Sequence, residues 1–502
     1  MRLRPLIAAC LGVAGLAAAG AAPAAPPSTG PSGIGWEDCG EGHEELAAAG
    51  AQCALITVPL DYTNPAGDTV GIAISRIPAA DQENRRGILL ANPGGPGGPG
   101  LDYPLALRPA LGDVADRYDL IGFDPRFIGE SSPVTCAPAG PRAPMTGSPR
   151  EIFDATVRGA ADLAERCTTP EGNAELLAHA STRNVARDMD SIRAALGEPA
   201  LSYYGVSYGA DLGAVYTQMF PERADRIVLD SSTDPSRTQY QLFQDAGPAA
   251  EAGLDEWARW TAARHAEYRL GRRAHEVRAT VERLVARAER RPVAIGGYQV
   301  DATQLRLVLR QLVQHQEDNA ALARAVRNLV DAAAGHQVEP DPLLDMWLRV
   351  LNSPDLDPVF AAPAYTFCAD GGWPAGGWPD APEDYWHAIR ESRAEQPVFG
   401  PLANAIGPCP FWPGEPREPG TVIANDTPVL MLHALRDINT PYPGGVALHE
   451  ALTGSRLVTA DIRSHGVYGR GAEGKTPIPC VDEAVNDYLA GGRLPAEDTS
   501  CP

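Results

Sequence analysis

The run Leu201-Ser202-Tyr203-Tyr204-Gly205-Val206-Ser207-Tyr208-Gly209 joins two periodic segments of opposite kind. Before it, Ala200–Tyr204 is short, apolar and aromatic and reads as a buried strand. After it, Tyr208–Phe220 carries apolar residues at helical spacing. Between them sits the chain's one G-x-S-x-G, placed where a strand must turn sharply into a helix. Glycines on both sides let backbones crowd around such a turn, which lifts the Ser207 hydroxyl above the sheet. The rival reading, an ordinary turn serine, does not account for the strand on one side and the helix on the other.

Outward from this turn the pattern repeats. Gly87–Ala91 and Asp119–Phe123 are continuous apolar runs of the kind buried on both faces of a parallel sheet. Asn184–Leu196 has helical spacing and stops at Gly197, and Arg226–Asp230 is another strand. Ala54–Leu60 and Thr69–Ile77 flank a turn at 64–68 and read as a hairpin. Strands alternating with helices predict an α/β fold with a mostly parallel central sheet. Ala137–Arg150 reads as a Pro/Gly-rich surface loop. From about 240 to 350 the period turns helical, with Leu305, Leu309, Leu312, Leu322, Val326 and Leu329, and no strand interrupts it. Strand signals return at Pro428–Ala434 and Arg456–Ala460, so the helical block reads as a lid inserted into an interrupted sheet. The division is 1–25 signal peptide, 26–52 N-terminal segment, 53–239 first part of the core, 240–400 lid, and 401–502 second part of the core.

Arg2 and Arg4, the apolar run Leu6–Ala19 and the small residues 17–22 form a secretory signal cleaved around residues 19–25. That run is too short to span a bilayer, which takes about 20 residues. An exported protein with 42 Lys+Arg against 64 Asp+Glu, net charge −22, lacks the basic surface that nucleic acid requires. Of nine cysteines, Cys10 leaves with the signal. Pairing nearest neighbours gives Cys39–Cys53, Cys136–Cys167, Cys368–Cys409 and Cys480–Cys501 as the expected disulfides. Metal ligation is the rival, but neither CxxC nor HExxH occurs.

A serine hydroxyl needs a base, and the base a carboxylate to orient it. Asp437 follows the last convincing strand, whereas Asp426 precedes it and lies at the wrong end of the sheet. Two histidines come after Asp437. His449 falls in a helical stretch and is expected to be exposed; His465 follows a strand in a polar loop and is the better base. The other eight histidines read as ordinary surface or core residues. The donors for a developing oxyanion are expected in the backbone N–H of Tyr208 and in the glycine-rich loop Asn92-Pro93-Gly94-Gly95-Pro96-Gly97-Gly98. A phosphate loop is excluded there, since no Gly-Lys-Ser/Thr follows.

With these pieces in place the chain resembles the secreted tripeptidyl aminopeptidases and related prolyl-aminopeptidase-like serine peptidases of the α/β-hydrolase fold, which carry a TAP-like C-terminal region. The resemblance rests on the loop at 92–98, Arg187-Asp188-Met189-Asp190-Ser191-Ile192-Arg193, Gly205–Gly209, Asp230, Asp437 with Thr440-Pro441, and Cys480…Tyr488-Leu489…Cys501. It departs from the family at Pro99, at Phe127-Ile128-Gly129 and at Ser464 before the histidine. By position it implies Ser207 as nucleophile, Asp437 as orienting acid, His465 as base, and Gly95 and Tyr208 as the oxyanion N–H donors. It implies an exported exopeptidase acting on peptides with a free N-terminus, without metal or organic cofactor. The alternatives are a carboxylesterase of the same fold and an inactive cell-surface binding protein. A lid carboxylate would hold the substrate ammonium; Glu251, Asp255 and Glu256 lie near the lid's start, where most carboxylates are solvated.

Overall fold

The computed structural model describes residues 33–134, 136–137, 143–170, 173–353, 357–371, 378–471 and 474–502. The signal segment, Trp373 and part of the loop 137–150 fall outside them. Among the described residues twelve strands form: β1 Glu37–Asp38, β2 Gln52–Pro59, β3 Thr69–Ile77, β4 Gly87–Asn92, β5 Tyr118–Phe123, β6 Leu201–Val206, β7 Ala224–Asp230, β8 Val293–Ile295, β9 Tyr298–Val300, β10 Val429–Ala434, β11 Arg456–Ala460 and β12 Thr499–Cys501. Ten of them make one sheet in the order β1-β2-β3-β5-β4-β6-β7-β10-β11-β12. Pairing is antiparallel from β1 through β3 to β5 and parallel across the rest. This is the α/β-hydrolase fold.

Alternation along the central strands feeds two cores. Ile88, Leu90, Tyr203, Ile227, Leu229 and Met431 pack on one side, with Val185, Met189 and Ile192 of the helix Thr182–Ala195 and Leu212 of the helix Tyr208–Met219. Leu89, Ala91, Tyr204, Val228, Leu430 and Leu432 point the other way, toward Leu107 of the helix Tyr103–Leu111 and Val485 and Leu489 of the helix Pro479–Gly491. Burial on both faces explains why these strands read as unbroken apolar runs. Register aligns their C-terminal ends: Asn92 lies opposite Gly205, Val206 opposite Asp230, Leu432 opposite Asp230, and Ala434 opposite Ala460. The loops after five successive strands of the sheet therefore open on one edge, the place where open α/β sheets bind ligands.

Between β7 and β10 the chain leaves the sheet and runs through helices that include Gln239–Ala262, Ala274–Arg290, Ala302–Val313, Asn319–Ala333, Pro342–Asn352 and Asp357–Ala369. Leu254, Trp257, Val281, Leu309, Leu322, Val326 and Leu348 close a separate core there. The expectation of an uninterrupted helical block needs correction, because β8 and β9 pair as an antiparallel hairpin inside it. Each strand has three residues around Gly296-Gly297, too short for a period-2 signal to register. A helix at Pro149–Thr168, capped by Ser148 with Glu151 reaching back, also went unread in the sequence.

Sulfur atoms are bonded between Cys39 and Cys53, Cys136 and Cys167, Cys368 and Cys409, and Cys480 and Cys501. Among the described residues no helix is long and apolar enough to cross a membrane.

Candidate active site

Ser207 caps the helix Tyr208–Met219 with φ 60° and ψ −129°, a conformation costly for a residue with a Cβ. The turn is held by Ser207 N–H donating to Asp230 O at 2.8 Å. It also depends on glycine. A Cβ at Gly205 would overlap the backbone of Gly209, and one at Gly94 would overlap Val206 O and lie 3.0 Å from Ser207 Cβ. The glycine-rich loop is thus pressed directly against the serine turn. Gly94 N–H is taken by Asn92 Oδ1 at 2.9 Å. The N–H groups of Gly95 and Tyr208 make no hydrogen bond among the described residues.

Asp437 is buried, and its two oxygens are fully engaged. Oδ1 accepts from the N–H groups of Asn439 and Thr440 at 2.8 and 3.1 Å; Oδ2 accepts from Thr440 Oγ1 at 3.0 Å and meets His465 Nδ1 at 2.8 Å. Burial alone would raise this carboxyl, but the charge and hydrogen bond of His465 outweigh it and hold the pKa below the ordinary aspartate value. The reciprocal balance acts on His465. Burial pushes the imidazole down, Asp437 pushes it up by charge and hydrogen bond, and the result lies above the ordinary histidine value. Neither Ser207 Oγ nor His465 Nε2 has a hydrogen-bond partner among the described residues. The loop bearing His465 passes over the end of β6, where a Cβ on Gly466 would stand 3.5 Å from Val206 Cγ2.

Asp230, singled out by the resemblance, and several residues that the sequence did not single out hold these two loops. Asp230, buried at the end of β7, accepts from Val467 N–H and Tyr468 N–H at 2.9 and 3.0 Å, while Ser231 Oγ accepts from Gly466 N–H at 2.9 Å. His433, buried on β10, meets the Thr440 carbonyl at 2.8 Å through Nε2, which fixes the donor on that nitrogen. Ile438, next to Asp437, is the one member of the helical region's core from outside 250–399 among the described residues. Arg463, two residues before His465, donates to Val313 O and Gly253 O and pairs with Glu256 at 2.8 Å. The insertion therefore buttresses both loops.

The three acids expected near the lid's start are engaged elsewhere. Glu251 is buried rather than solvated: it accepts from Val398 N–H and Phe399 N–H at 2.8 and 2.7 Å and pairs with Arg278. Asp255 also meets Arg278, and Glu256 bridges Arg463 and Arg436. His449 is half-buried rather than exposed, and both its ring nitrogens are engaged by Ser455 and Asp498 rather than by Asp437.

Two other carboxylates behave differently. Asp211, one turn after Ser207, accepts from Thr233 N–H and Oγ1 at 2.9 Å each. Asp370, at the end of the helix Asp357–Ala369, accepts from Thr182 Oγ1 at 2.6 Å and Gln239 Nε2 at 3.3 Å; Thr182 Oγ1 in turn meets Tyr208 OH at 2.9 Å. Among the described residues neither is in an ion pair, and Gln239 Oε1 is buried without a partner. Burial lifts Asp211 to about 6, with Asp370 adding to the rise, and burial raises Asp370 as well. Ala362 of the Asp357–Ala369 helix touches Gly97, so this helix roofs the glycine-rich loop.

Comparison with known proteins agrees with this architecture. The family described as alpha/beta hydrolase fold matches residues 87–323, and the family described as TAP-like protein matches residues 396–501. The chain is 36% identical over 495 residues to a tripeptidyl aminopeptidase of Streptomyces lividans, covering 94% of this chain and 87% of that one. It is 30% identical over 501 residues to the serine protease Hip1 of Mycobacterium tuberculosis (93% and 91%), and 29% identical over 560 residues to that organism's carboxylesterase B (100% and 99%).

Proposed function

This chain belongs to the TAP-like serine peptidases of the α/β-hydrolase fold, and on that premise we propose that it is an exported exopeptidase cleaving peptides near a free N-terminus. The observation that carries the catalytic part is the pairing of Asp437 with His465 beside the strained turn of Ser207. Ser207 Oγ attacks the scissile carbonyl as His465 Nε2 takes its proton, and Asp437 stabilises the imidazolium. The oxyanion is received by the free N–H groups of Gly95 and Tyr208. Collapse of the tetrahedral intermediate breaks the C–N bond, and His465 returns the proton to the leaving amine. Water, deprotonated by His465, then hydrolyses the acyl-serine. Nothing in this sequence of steps calls on a metal or organic cofactor. Four disulfides support an oxidising compartment and so the export reading.

The exopeptidase part is supported by Asp211 and Asp370. Two carboxylates without a cation, set around the residue after the nucleophile, suit an ammonium group that arrives with the substrate. The test compares an alanyl-alanyl-prolyl anilide with its N-acetylated twin at pH 7–8. Acetylation removes the cation and leaves the acids unpaired, so kcat/KM falls by about 10²-fold or more. Equal rates would move the assignment to an endopeptidase. The likeness to a carboxylesterase favours an ester substrate as the second reading; kcat/KM on peptidyl anilides against short acyl esters separates the two.

A further inference from the structure

Arginine supplies nearly all of this chain's positive charge, and its deeply buried copies are paired: Arg126 with Asp188, Arg306 with Glu289, Arg463 with Glu256, Arg470 with Glu317. Arg310, which is half-buried, has no such partner among the described residues. It stands on the helix Ala302–Val313 and donates from Nη2 to Asn439 Oδ1 at 2.8 Å, two residues from Asp437. Among the described residues it has no ion pair and no other hydrogen bond, and its remaining nitrogens are not sealed from solvent. Asp437 does not serve as its partner, because both of those carboxylate oxygens are already occupied by His465, Asn439 and Thr440. Burial pulls the guanidinium down to about 10, with Asp437 opposing, so it remains charged at neutral pH. Asp437 offsets this charge electrostatically but makes no hydrogen bond to it, so Nε and Nη1 stay available to an anion arriving from outside.

The chemistry says which part of a substrate meets it. His465 hands its proton to the leaving amine, so the leaving fragment departs beside His465. Arg310 acts on both Asp437 and His465 by charge. On the same flank, His315 Nδ1 meets Ser464 Oγ at 3.0 Å and its Nε2 meets Lys475 Nζ at 2.9 Å, while Arg470 also reaches Ser464. The unpaired acids use a different set of partners, namely Thr233, Thr182 and Gln239. On this flank Arg310 and Lys475 carry positive charge, whereas Arg470 is already paired with Glu317 and burial keeps His315 neutral.

We propose that Arg310 is a specificity-determining residue that binds the free α-carboxylate of the leaving fragment, so that the preferred substrates are short peptides with both ends free. This rests on the peptidase reading above and narrows its substrate class. A guanidinium matches a carboxylate bidentately, which an amide or a continuing chain does not reproduce.

The experiment measures kcat/KM of the mature protein on alanyl-alanyl-prolyl-alanine as the free acid and as its C-terminal amide. The acid is expected to be favoured roughly tenfold or more, mainly through KM, and Arg310→Gln to bring the two within about threefold of each other. Labelling by a fluorophosphonate shows whether Arg310→Gln is folded. If it is not, Arg310→Lys takes its place, and its acid preference should fall between wild type and parity. Equal rates on acid and amide in the wild type overturn the proposal while leaving the peptidase reading intact, since both are peptide cleavages. An acid preference undiminished in the folded variant overturns it too. Failure to cleave either peptide, with turnover of short acyl esters, overturns the peptidase reading and the proposal together.

Discussion

The sheet edge and the helical insertion contribute to one cleft by different physical means. At the sheet edge, positions are set by backbone. Gly94 and Gly205 leave no room for a Cβ, Ser207 hangs from Asp230 O, and Asp230 in turn holds Val467 and Tyr468. The insertion closes its own core around Trp257 and Leu309 and reaches the cleft through side chains such as Arg310 and Gln239. The proposed reactive groups therefore sit on the sheet edge, and the groups suited to charge recognition come largely from the insertion. The joint between them is specific: Ile438 and Arg463 tie the loops of Asp437 and His465 into the insertion.

The largest effect should come from breaking the sheet-edge half. Ser207→Ala and His465→Ala are each expected to lower kcat by about 10⁶-fold, and Asp437→Asn by about 10⁴-fold. Steady-state kinetics with an N-terminally free peptidyl anilide reads these losses, and titration with a fluorophosphonate excludes trace wild-type enzyme. Full activity in His465→Ala together with loss in His449→Ala would reassign the base.

Cutting the joint should cost stability as well as turnover. Arg463→Met removes a buried guanidinium from Glu256, Asn319 and two carbonyls; Glu256 keeps Arg436, but Asn319 Oδ1 and Val313 O lose the donor they share with it. Leaving a buried acceptor without its donor typically costs about 1–3 kcal/mol. Denaturant unfolding should register that loss, and kcat should fall because the loop of His465 loses its anchor. A variant as stable and active as wild type would show the two regions to be mechanically independent.

How much was legible follows the same division. Ser207, Asp437 and His465 were legible as candidates because each lies in a loop just past a strand, and strands of this sheet are continuous apolar runs. The helices Thr182–Ala195 and Tyr208–Met219 were readable to within a residue or two from period and cap. The hairpin β8–β9 was not, since three residues carry no period. Nor were the cleft's charges. Asp211 and Asp370 are 159 positions apart, and no local pattern says that neither is in an ion pair among the described residues. Glu251 looked like a solvated helix acid, yet it caps the N–H groups of Val398 and Phe399 from nearly 150 residues away. Backbone geometry writes itself into neighbouring residues; long-range charge pairing does not.

The smallest expected effect separates the two halves by pH. His465 lies above the ordinary imidazole value of about 6.5, held there by Asp437. Its protonation removes the base, so kcat falls on the acid side for free-amine and acetylated substrates alike. Asp211 titrates near 6 and acts differently: above that pH it is a carboxylate able to hold an ammonium, and below it a neutral acid. As pH falls from 7 to 5, KM for the free-amine anilide should therefore rise, by about tenfold if one ionised carboxyl is required, while KM for the acetylated twin stays level. Asp211→Asn should flatten the KM profile of the free-amine substrate and leave the acid limb of kcat in place. Parallel KM profiles for the two substrates in the wild type would show that Asp211 does not read the ammonium. Asp370, contributed by the insertion, would then be the group to examine, and recognition would belong wholly to the inserted region.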